Sequence, residues 1–200
     1  MAPDARYPTD HEPTITVRPA YGRFEDFATV VGTRRPDAAG CWCMAYRDSR
    51  VPSQERPAAM RAECATPPGP GVLLYVDDVV AGWCSIAPRA HHRRLLNSRT
   101  IPVLDDRRDT WVAVCFVVRA GFRGHGRMHR LLAGAVDHAQ AHDAEVVEGY
   151  PVEAGGSRVD VISGYVGTTE LFERAGFERA APTTGRSGGR PRLVMRKILR

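Results

Sequence analysis

The stretch that decides the fold reads TWVAVCFVVRAGFRGHGRMHRLLAGAVDHAQA and runs from Thr110 to Ala141. Its first part, Trp111 to Val118, is an apolar, β-branched run too short for a helix of its own, which predicts a strand. The glycine loop, Arg119 to Gly126, comes next, and its three glycines allow a sharp turn that leaves backbone N–H groups uncovered. From Arg127 onward, apolar residues recur at helical spacing and give the helix one apolar face: Met128, Leu131, Leu132, Ala135, Val136 and Ala139.

A strand, a glycine loop and a helix N-terminus in this order form a cradle for a phosphate group. The first N–H groups of the helix have no partner within it, and the helix dipole and nearby arginines add positive charge there: Arg123, Arg127 and Arg130. A P-loop is excluded because no Gly-Lys-Ser/Thr closes the loop. A dinucleotide site stays open on spacing alone. His129 replaces the third glycine of that motif, but Glu145 and Glu148 lie near the distance at which its acid is expected.

Two motifs resemble those of the GNAT superfamily, the acyl-coenzyme-A-dependent N-acetyltransferases. Arg123-Gly-His-Gly126, followed by Arg127 and Met128, resembles the Arg/Gln-x-x-Gly-x-Gly/Ala signature, with Met128 where the family usually has Gly or Ala. Leu171 to Phe177 resembles the later Tyr-Glu-x-x-Gly-Phe motif, with phenylalanine in place of its tyrosine. The resemblance implies acetyl-CoA as co-substrate and no metal. It also implies cofactor-binding residues at Phe116, Val117, Val118, Arg123, Gly124, His125, Gly126, Arg127, Met128, Thr168 and Phe172.

The resemblance and the element pattern together predict an α/β fold with a mixed, mostly antiparallel central sheet flanked by helices. In the GNAT fold two central strands splay apart, and here these would be Trp111–Val118 and Glu145–Val152. Helices are expected at Arg23 to Gly32, at Pro52 to Cys64, within Pro88 to Asp109 beside a mobile loop, and at Gly164 to Ala175. Two further strands are expected at Thr14–Arg18 and Gly40–Tyr46. Val72–Val76 and Val79–Ile86 are expected to form a hairpin about Asp77-Asp78. Phe177–Ala181 and Arg192–Ile198 are expected to form a closing hairpin with a flexible loop at Thr183–Arg190.

Composition limits the class of protein. Two hundred residues with 43% hydrophobic content suit a single domain, expected at 14–200 behind a flexible leader at 1–13. No apolar run is long enough to cross a membrane, and five cysteines without a repeating spacing fit reduced thiols in a cytoplasmic protein. The net charge of +5 suits an anionic cofactor, and because the arginines are interleaved with acids, nucleic-acid binding is not expected.

The chemistry implied is transfer of an acyl group from a thioester to a small-molecule or peptide amine. Such an amine is mostly protonated at neutral pH, so a base is required, and Glu148 is the candidate; an edge-exposed or ion-paired glutamate is the alternative. The family's usual acid for the leaving thiolate is absent because Phe172 stands at that position. Tyr165 or Tyr150 could replace it, although packing its ring and hydrogen-bonding its tip is the commoner role of such a tyrosine.

The cysteines and histidines fit other chemistries less well. Cys115, flanked by valines, is expected to be an inert thiol rather than an acyl carrier. Neither Cys41-Trp-Cys43 nor the His138–His142 pair has the companions that a zinc site needs. We therefore expect direct transfer in a ternary complex. The rival is a catalytically idle coenzyme-A-binding or regulatory module, which Phe172 favours, and a homodimer remains an option.

Overall fold

The computed structural model describes residues 12–33, 39–104, 109–156 and 164–199. The expected leader falls almost entirely outside this part, as do residues 105–108 of the loop expected before Asp109. No helix in the described ranges is long and apolar enough to cross a membrane.

Seven strands and six helices are described in this part of the chain. In chain order they are β1 Ile15–Pro19, α1 Phe24–Val31, α2 Met44–Arg47, α3 Arg56–Ala65, β2 Gly71–Val76, β3 Val79–Pro88, α4 Arg93–Leu96, β4 Thr110–Val118, α5 Arg127–Gln140, β5 Val146–Gly149, α6 Thr169–Arg174, β6 Glu178–Ser187 and β7 Arg190–Ile198. Short 3-10 turns follow β3, at Arg89–His91, and β4, at Ala120–Phe122.

The strands form one sheet in the order β1-β2-β3-β4-β5-β7-β6. Only the β4–β5 pair is parallel, so the predicted mixed, mostly antiparallel sheet is confirmed. The apolar stripe of α5 packs on one face, where Leu131, Leu132 and Ala135 are fully buried against β2, β3 and β4. The other face is covered by the helices α1 to α3, whose Phe27, Met44 and Met60 surround Trp83.

The two central strands separate where the site lies. Their parallel pairing runs from Thr110 opposite Val146 to Ala113 opposite Gly149 and goes no further. At that point β4 also bulges, since Ala113 and Cys115 pair with successive residues of β3 and leave Val114 as the extra residue. Gly149 allows α6 to approach this end of β5, because a Cβ there would lie 2.1 Å from the Phe172 ring.

Three predicted elements are wrong. The stretch Gly40–Tyr46 is no strand, because Trp42 and Cys43 take left-handed φ values of 47° and 56° and lead into α2. The helix expected from Gly164 begins only after Thr168, whose hydroxyl accepts a hydrogen bond from Leu171 N–H and caps α6. The loop expected at Thr183–Arg190 is strand up to Ser187, and the chain turns at Gly188 and Gly189.

Most of the remaining elements follow the predictions closely, but β5 ends at Gly149, three residues before the predicted end at Val152, where its pairing with β4 stops. The central strand and the helix after it run from Thr110 to Val118 and from Arg127 to Gln140. The hairpin about Asp77-Asp78 is also confirmed, and both aspartates take left-handed φ values, 47° and 61°, as a two-residue turn between twisted strands requires.

Candidate active site

The glycine loop ends in three successive left-handed residues. Gly124, His125 and Gly126 have φ values of 80°, 51° and 67°, and α5 begins directly after them. Within the described residues, none of these three N–H groups donates a hydrogen bond, and neither does that of Met128. Successive uncommitted N–H groups at the positive end of a 14-residue helix form a concave site for an anion.

This loop forms one wall of a cleft of about 530 Å³, which is called the cofactor cavity after the residues predicted to bind the cofactor. The rest of its lining comes from the splayed end of β4 and from the start of α6. The full lining is Phe116, Val117, Val118, Arg123, Gly124, His125, Gly126, Arg127, Met128, His129, Gly164, Tyr165, Gly167, Thr168, Leu171 and Arg174. The structure thus brings together ten of the eleven residues predicted for the cofactor. Phe172 alone is not in the lining and is fully buried against Phe116 and Phe177.

The cofactor cavity is positively charged. Arg123, Arg127 and Arg174 line it together with two histidines, and no acidic residue is among the described lining residues. Arg123 is oriented by a hydrogen bond of 3.1 Å from its Nε to the carbonyl of Val118, which ties the loop to the end of β4. Sequence reasoning missed Arg174, because its place beside the loop depends on how α6 packs and no local pattern marks it.

Two backbone groups on the β4 edge inside the cavity already form hydrogen bonds. The Phe116 N–H donates a hydrogen bond of 2.8 Å to the carbonyl of Tyr165, and the Val118 carbonyl accepts the one from Arg123. Tyr165 therefore occupies the gap between the splayed strands. An extended ligand arm that pairs with Phe116 would have to replace this contact.

The two candidate tyrosines lie in different surroundings. Tyr165 lines the cofactor cavity with 43% of its surface exposed, and its hydroxyl has no hydrogen-bond partner within the described ranges. Tyr150 is only 1% exposed and donates its hydroxyl proton to Glu148 Oε2 at 2.8 Å. Burial and the neighbouring Glu148 charge raise the pKa of Tyr150 well above its usual value, so this proton is tightly held.

Glu148 lies in a buried ionic network on the sheet face opposite α5. Its Oε2 accepts a hydrogen bond from Arg89 Nη1 at 2.5 Å, and Arg196 Nε lies 3.2 Å from Oε1. Arg89 also donates to the Tyr150 hydroxyl at 2.7 Å. Glu148 is 1% exposed, so its surroundings are those of the ion-paired glutamate that the sequence left open as the alternative to a base. Neither Glu148 nor Tyr150 lines the cofactor cavity.

The remaining candidate groups have packing partners. Cys115 Sγ lies 3.4 Å from Cys43 Sγ, which also accepts a hydrogen bond from the Trp83 indole. The contact with Cys115 and burial raise the pKa of the Cys43 thiol well above its usual value, which makes it a poor nucleophile. The rings of His138 and His142 pack against each other with centroids 4.5 Å apart. The described ranges contain no group of three or more His, Cys, Asp or Glu that could hold a metal.

Comparison with known proteins connects this geometry to a family. The model of the acetyltransferase (GNAT) family matches residues 38–152. Similar solved structures include yncA from Salmonella typhimurium with its cofactor acetyl-CoA (18% identity, 93% and 94% of the two chains, TM-score 0.50). A second is the ribosomal-protein-alanine N-acetyltransferase of Brucella melitensis (18% identity, 92% of this chain and 99% of that chain, TM-score 0.55). A third is a GNAT-family acetyltransferase of Bacillus cereus (15% identity, 94% of this chain and 99% of that chain, TM-score 0.54). At these identities the structures show a shared fold, and the predicted GNAT-like architecture is confirmed. No curated protein matches the chain.

Proposed function

Because the chain belongs to the GNAT acetyltransferase family, we propose that it transfers an acetyl group from acetyl-CoA to a primary amine in a ternary complex. One observation carries this proposal. A single positively charged cavity connects the left-handed loop, which suits a diphosphate, to the gap between β4 and β5, where a thioester could meet an amine.

The cofactor is proposed to bind along this cavity from end to end. Its diphosphate would accept hydrogen bonds from the N–H groups of Gly124, His125 and Gly126, with Arg123 and Arg127 supplying charge. Its pantetheine arm would follow the β4 edge at Phe116 to Val118 and take the place of the Tyr165 carbonyl. Met128 fits beside this path, since it packs against the main core as a partly buried side chain.

The chemical step needs a polarised carbonyl and a proton for the leaving sulfur. The amine nitrogen attacks the thioester carbon, the new C–N bond forms, and the C–S bond breaks to release the coenzyme A thiolate. A backbone N–H at the Val114 bulge is the proposed donor to the carbonyl oxygen, because the bulge interrupts the β4 ladder beside the gap. The Tyr165 hydroxyl is the proposed donor to the thiolate, since it is the exposed tyrosine in this cavity. The proton that the attacking nitrogen loses on forming the amide would return to Tyr165 through water.

Glu148 is proposed to act through other residues. Its burial and its contacts with Arg89, Arg196 and Tyr150 leave it no direct path to an amine in this structure. We assign it a positioning role, in which it fixes Arg89 and Tyr150 beside the strand gap. The amine would then lose its proton to water as it binds.

The proposed function is tested by thiol release from acetyl-CoA with a panel of primary amines, together with mass spectrometry of the products. We expect amine-dependent thiol release, an acetylated amine, and initial-velocity lines that intersect, as a ternary complex requires. Parallel lines would instead indicate an acyl-enzyme and would contradict direct transfer.

Replacing Tyr165 with phenylalanine is expected to lower kcat by roughly 10²-fold, within the range of general acid catalysis. Acetyl-CoA affinity should change little, because the proposed cofactor contact of this residue is its backbone. Tyr21→Phe is the control, since Tyr21 is a similarly exposed tyrosine, at 46%, outside the cavity lining. An unchanged kcat in the Tyr165 variant would remove the proposed acid.

A second candidate function is an idle coenzyme-A-binding or regulatory module. The observation that favours it is the fully buried Phe172, which puts no hydroxyl at the position of the family's usual acid. Tight acetyl-CoA binding with no turnover of any amine in the panel would select this alternative.

A further inference from the structure

Arg192, on β7, is a buried cation with no counter-charge among the described residues. The residue is 7% exposed, and the hydrogen bonds of its guanidinium within these ranges go to neutral groups. Nε donates to the Tyr150 carbonyl at 2.7 Å, and Nη1 donates to the Tyr46 hydroxyl at 2.9 Å. Nη2 is buried with no hydrogen-bond partner, and no carboxylate of the described residues lies within ion-pair distance of this side chain. An unpaired buried charge is costly, so folds seldom retain one without a partner.

The nearest acid cannot neutralise Arg192. Both oxygens of Glu148 are already engaged, one by Arg89 and the other by Arg196. Among the described residues, Arg192 is therefore the member of the network around Tyr150 that has neutral partners only.

A second arginine lies on the same tyrosine. The guanidinium carbons of Arg94 and Arg192 lie 5.7 Å and 5.8 Å from the centre of the Tyr46 ring. Arg94 is exposed, and the one hydrogen bond from its side chain within the described ranges goes to the Ala45 carbonyl. Its neighbour Arg93 instead has Asp48 at 3.7 Å. Tyr46 is thus flanked by two guanidinium groups for which the described part of the chain offers no carboxylate partner.

This cluster lies beside the gap between β4 and β5. Tyr150 is the first residue after the β4–β5 pairing ends, and Arg192 is bridged to Val152 just beyond it. Arg192 shares its side of β7 with Val194, two residues on, and Val194 packs with Val114 on the face opposite α5. The cofactor cavity opens on the α5 face. A second substrate that reaches the gap from the opposite face would therefore meet Tyr46 and Arg192.

We propose that the acceptor is an amine that carries a carboxylate, such as a free amino acid, and that Arg192, Tyr46 and Arg94 bind this carboxylate. The proposal rests on the function proposed above and names the substrate class of that site. A carboxylate fits better than a phosphate dianion, because Arg192 is the one buried guanidinium of this cluster, whereas the charge of Arg94 is exposed to solvent. Arg192 Nη2 would gain its missing acceptor, and the exposed Arg94 would draw the anion in.

The test compares L-alanine, L-methionine, L-phenylalanine and L-aspartate with their α-carboxamides as acceptors for the wild-type enzyme. We expect kcat/KM to be at least roughly 10-fold higher for the acids, as charge-assisted hydrogen bonds provide. Intrinsic reactivity works against this result, because the α-amine of the amide is more often deprotonated at neutral pH. Equal or better use of the amides would overturn the inference and leave the proposed function standing. Turnover of neither series would also overturn the inference, and the wider panel of primary amines would then decide the proposed function.

Variants connect the preference to the residues. Arg192→Gln is expected to reduce the acid-to-amide ratio in kcat/KM to near one, and Arg192→Lys to retain part of it. Arg93→Gln is the control, because it also removes one positive charge, from an exposed arginine next to Arg94 that pairs with Asp48, and it should keep the wild-type ratio. An unchanged ratio in Arg192→Gln would overturn the assignment. If that variant does not fold, thermal stabilisation of the wild-type enzyme by N-acetylmethionine decides: it should exceed stabilisation by N-acetylmethioninamide, and equal effects would count against the proposal.

Discussion

Gly126→Asp is expected to weaken acetyl-CoA binding by roughly 100-fold or more, because it places a carboxylate where the diphosphate is proposed to lie. Gly126 precedes α5 with φ 67°, and no atom lies within 4 Å of a Cβ added there, so the new side chain meets open space. The loss should therefore arise from charge repulsion at the helix N-terminus rather than from a clash. Isothermal titration calorimetry gives the dissociation constant.

Gly126→Asn is the matched control for this experiment. Asparagine has nearly the same shape as aspartate, carries no charge and tolerates the left-handed conformation. We expect it to weaken binding by no more than roughly 10-fold, the steric and conformational part of the change. Equal losses for the two variants would show that charge at this position does not matter and would count against a phosphate there.

Glu148→Gln is expected to lower the free energy of unfolding by about 3–5 kcal/mol, the usual cost of removing one member of a buried ion pair. The glutamine keeps the shape of the side chain but leaves Arg89 without its buried counter-charge. Chemical denaturation followed by fluorescence measures this change. A loss below about 1 kcal/mol would mean that the network contributes no more than a surface pair does.

The control for this prediction is Glu173→Gln. Glu173 pairs with Arg179 at 2.9 Å, but both side chains are about half exposed, so we expect a loss under about 1 kcal/mol. Activity adds a second readout. If Glu148 has a positioning role, the pH dependence of kcat/KM in the variant should keep its wild-type shape. Loss of the acidic limb would identify Glu148 as the base instead.

The central unit was predictable because its signals are local. A β-branched apolar run, three glycines and a helical stripe each act within a few residues, and the structure follows them from Thr110 to Gln140. The stretch Gly40–Tyr46 misled because its alternation imitates a strand. Tertiary packing decides there: the side chains of Cys43 and Met44 are buried beside Trp83 and Phe27, which a turn and a short helix achieve.

The functional site also has a part that local sequence signals predicted and a part that depends on tertiary packing. The anion cradle was visible in the sequence because its residues are nearly consecutive, and the structure places Arg123 to Met128 in one cavity, whereas Arg130 lies outside the lining. The cluster around Tyr46 was not visible in the sequence, because Arg94 and Arg192 come from elements far apart in the chain and approach each other only in the folded structure. The partners of Glu148 were hidden for the same reason, so the sequence left its role open between base and ion pair.

The most direct test of the central claim is the change in backbone amide NMR shifts when coenzyme A is added to the protein. The account predicts the largest shifts at Gly124, His125, Gly126 and Met128, whose N–H groups donate no hydrogen bond within the described residues. Pantetheine, which lacks the diphosphate, should leave these four amides nearly unchanged while still shifting residues of β4. Saturation with coenzyme A that leaves these amides unmoved would contradict the account, because the diphosphate would then bind elsewhere.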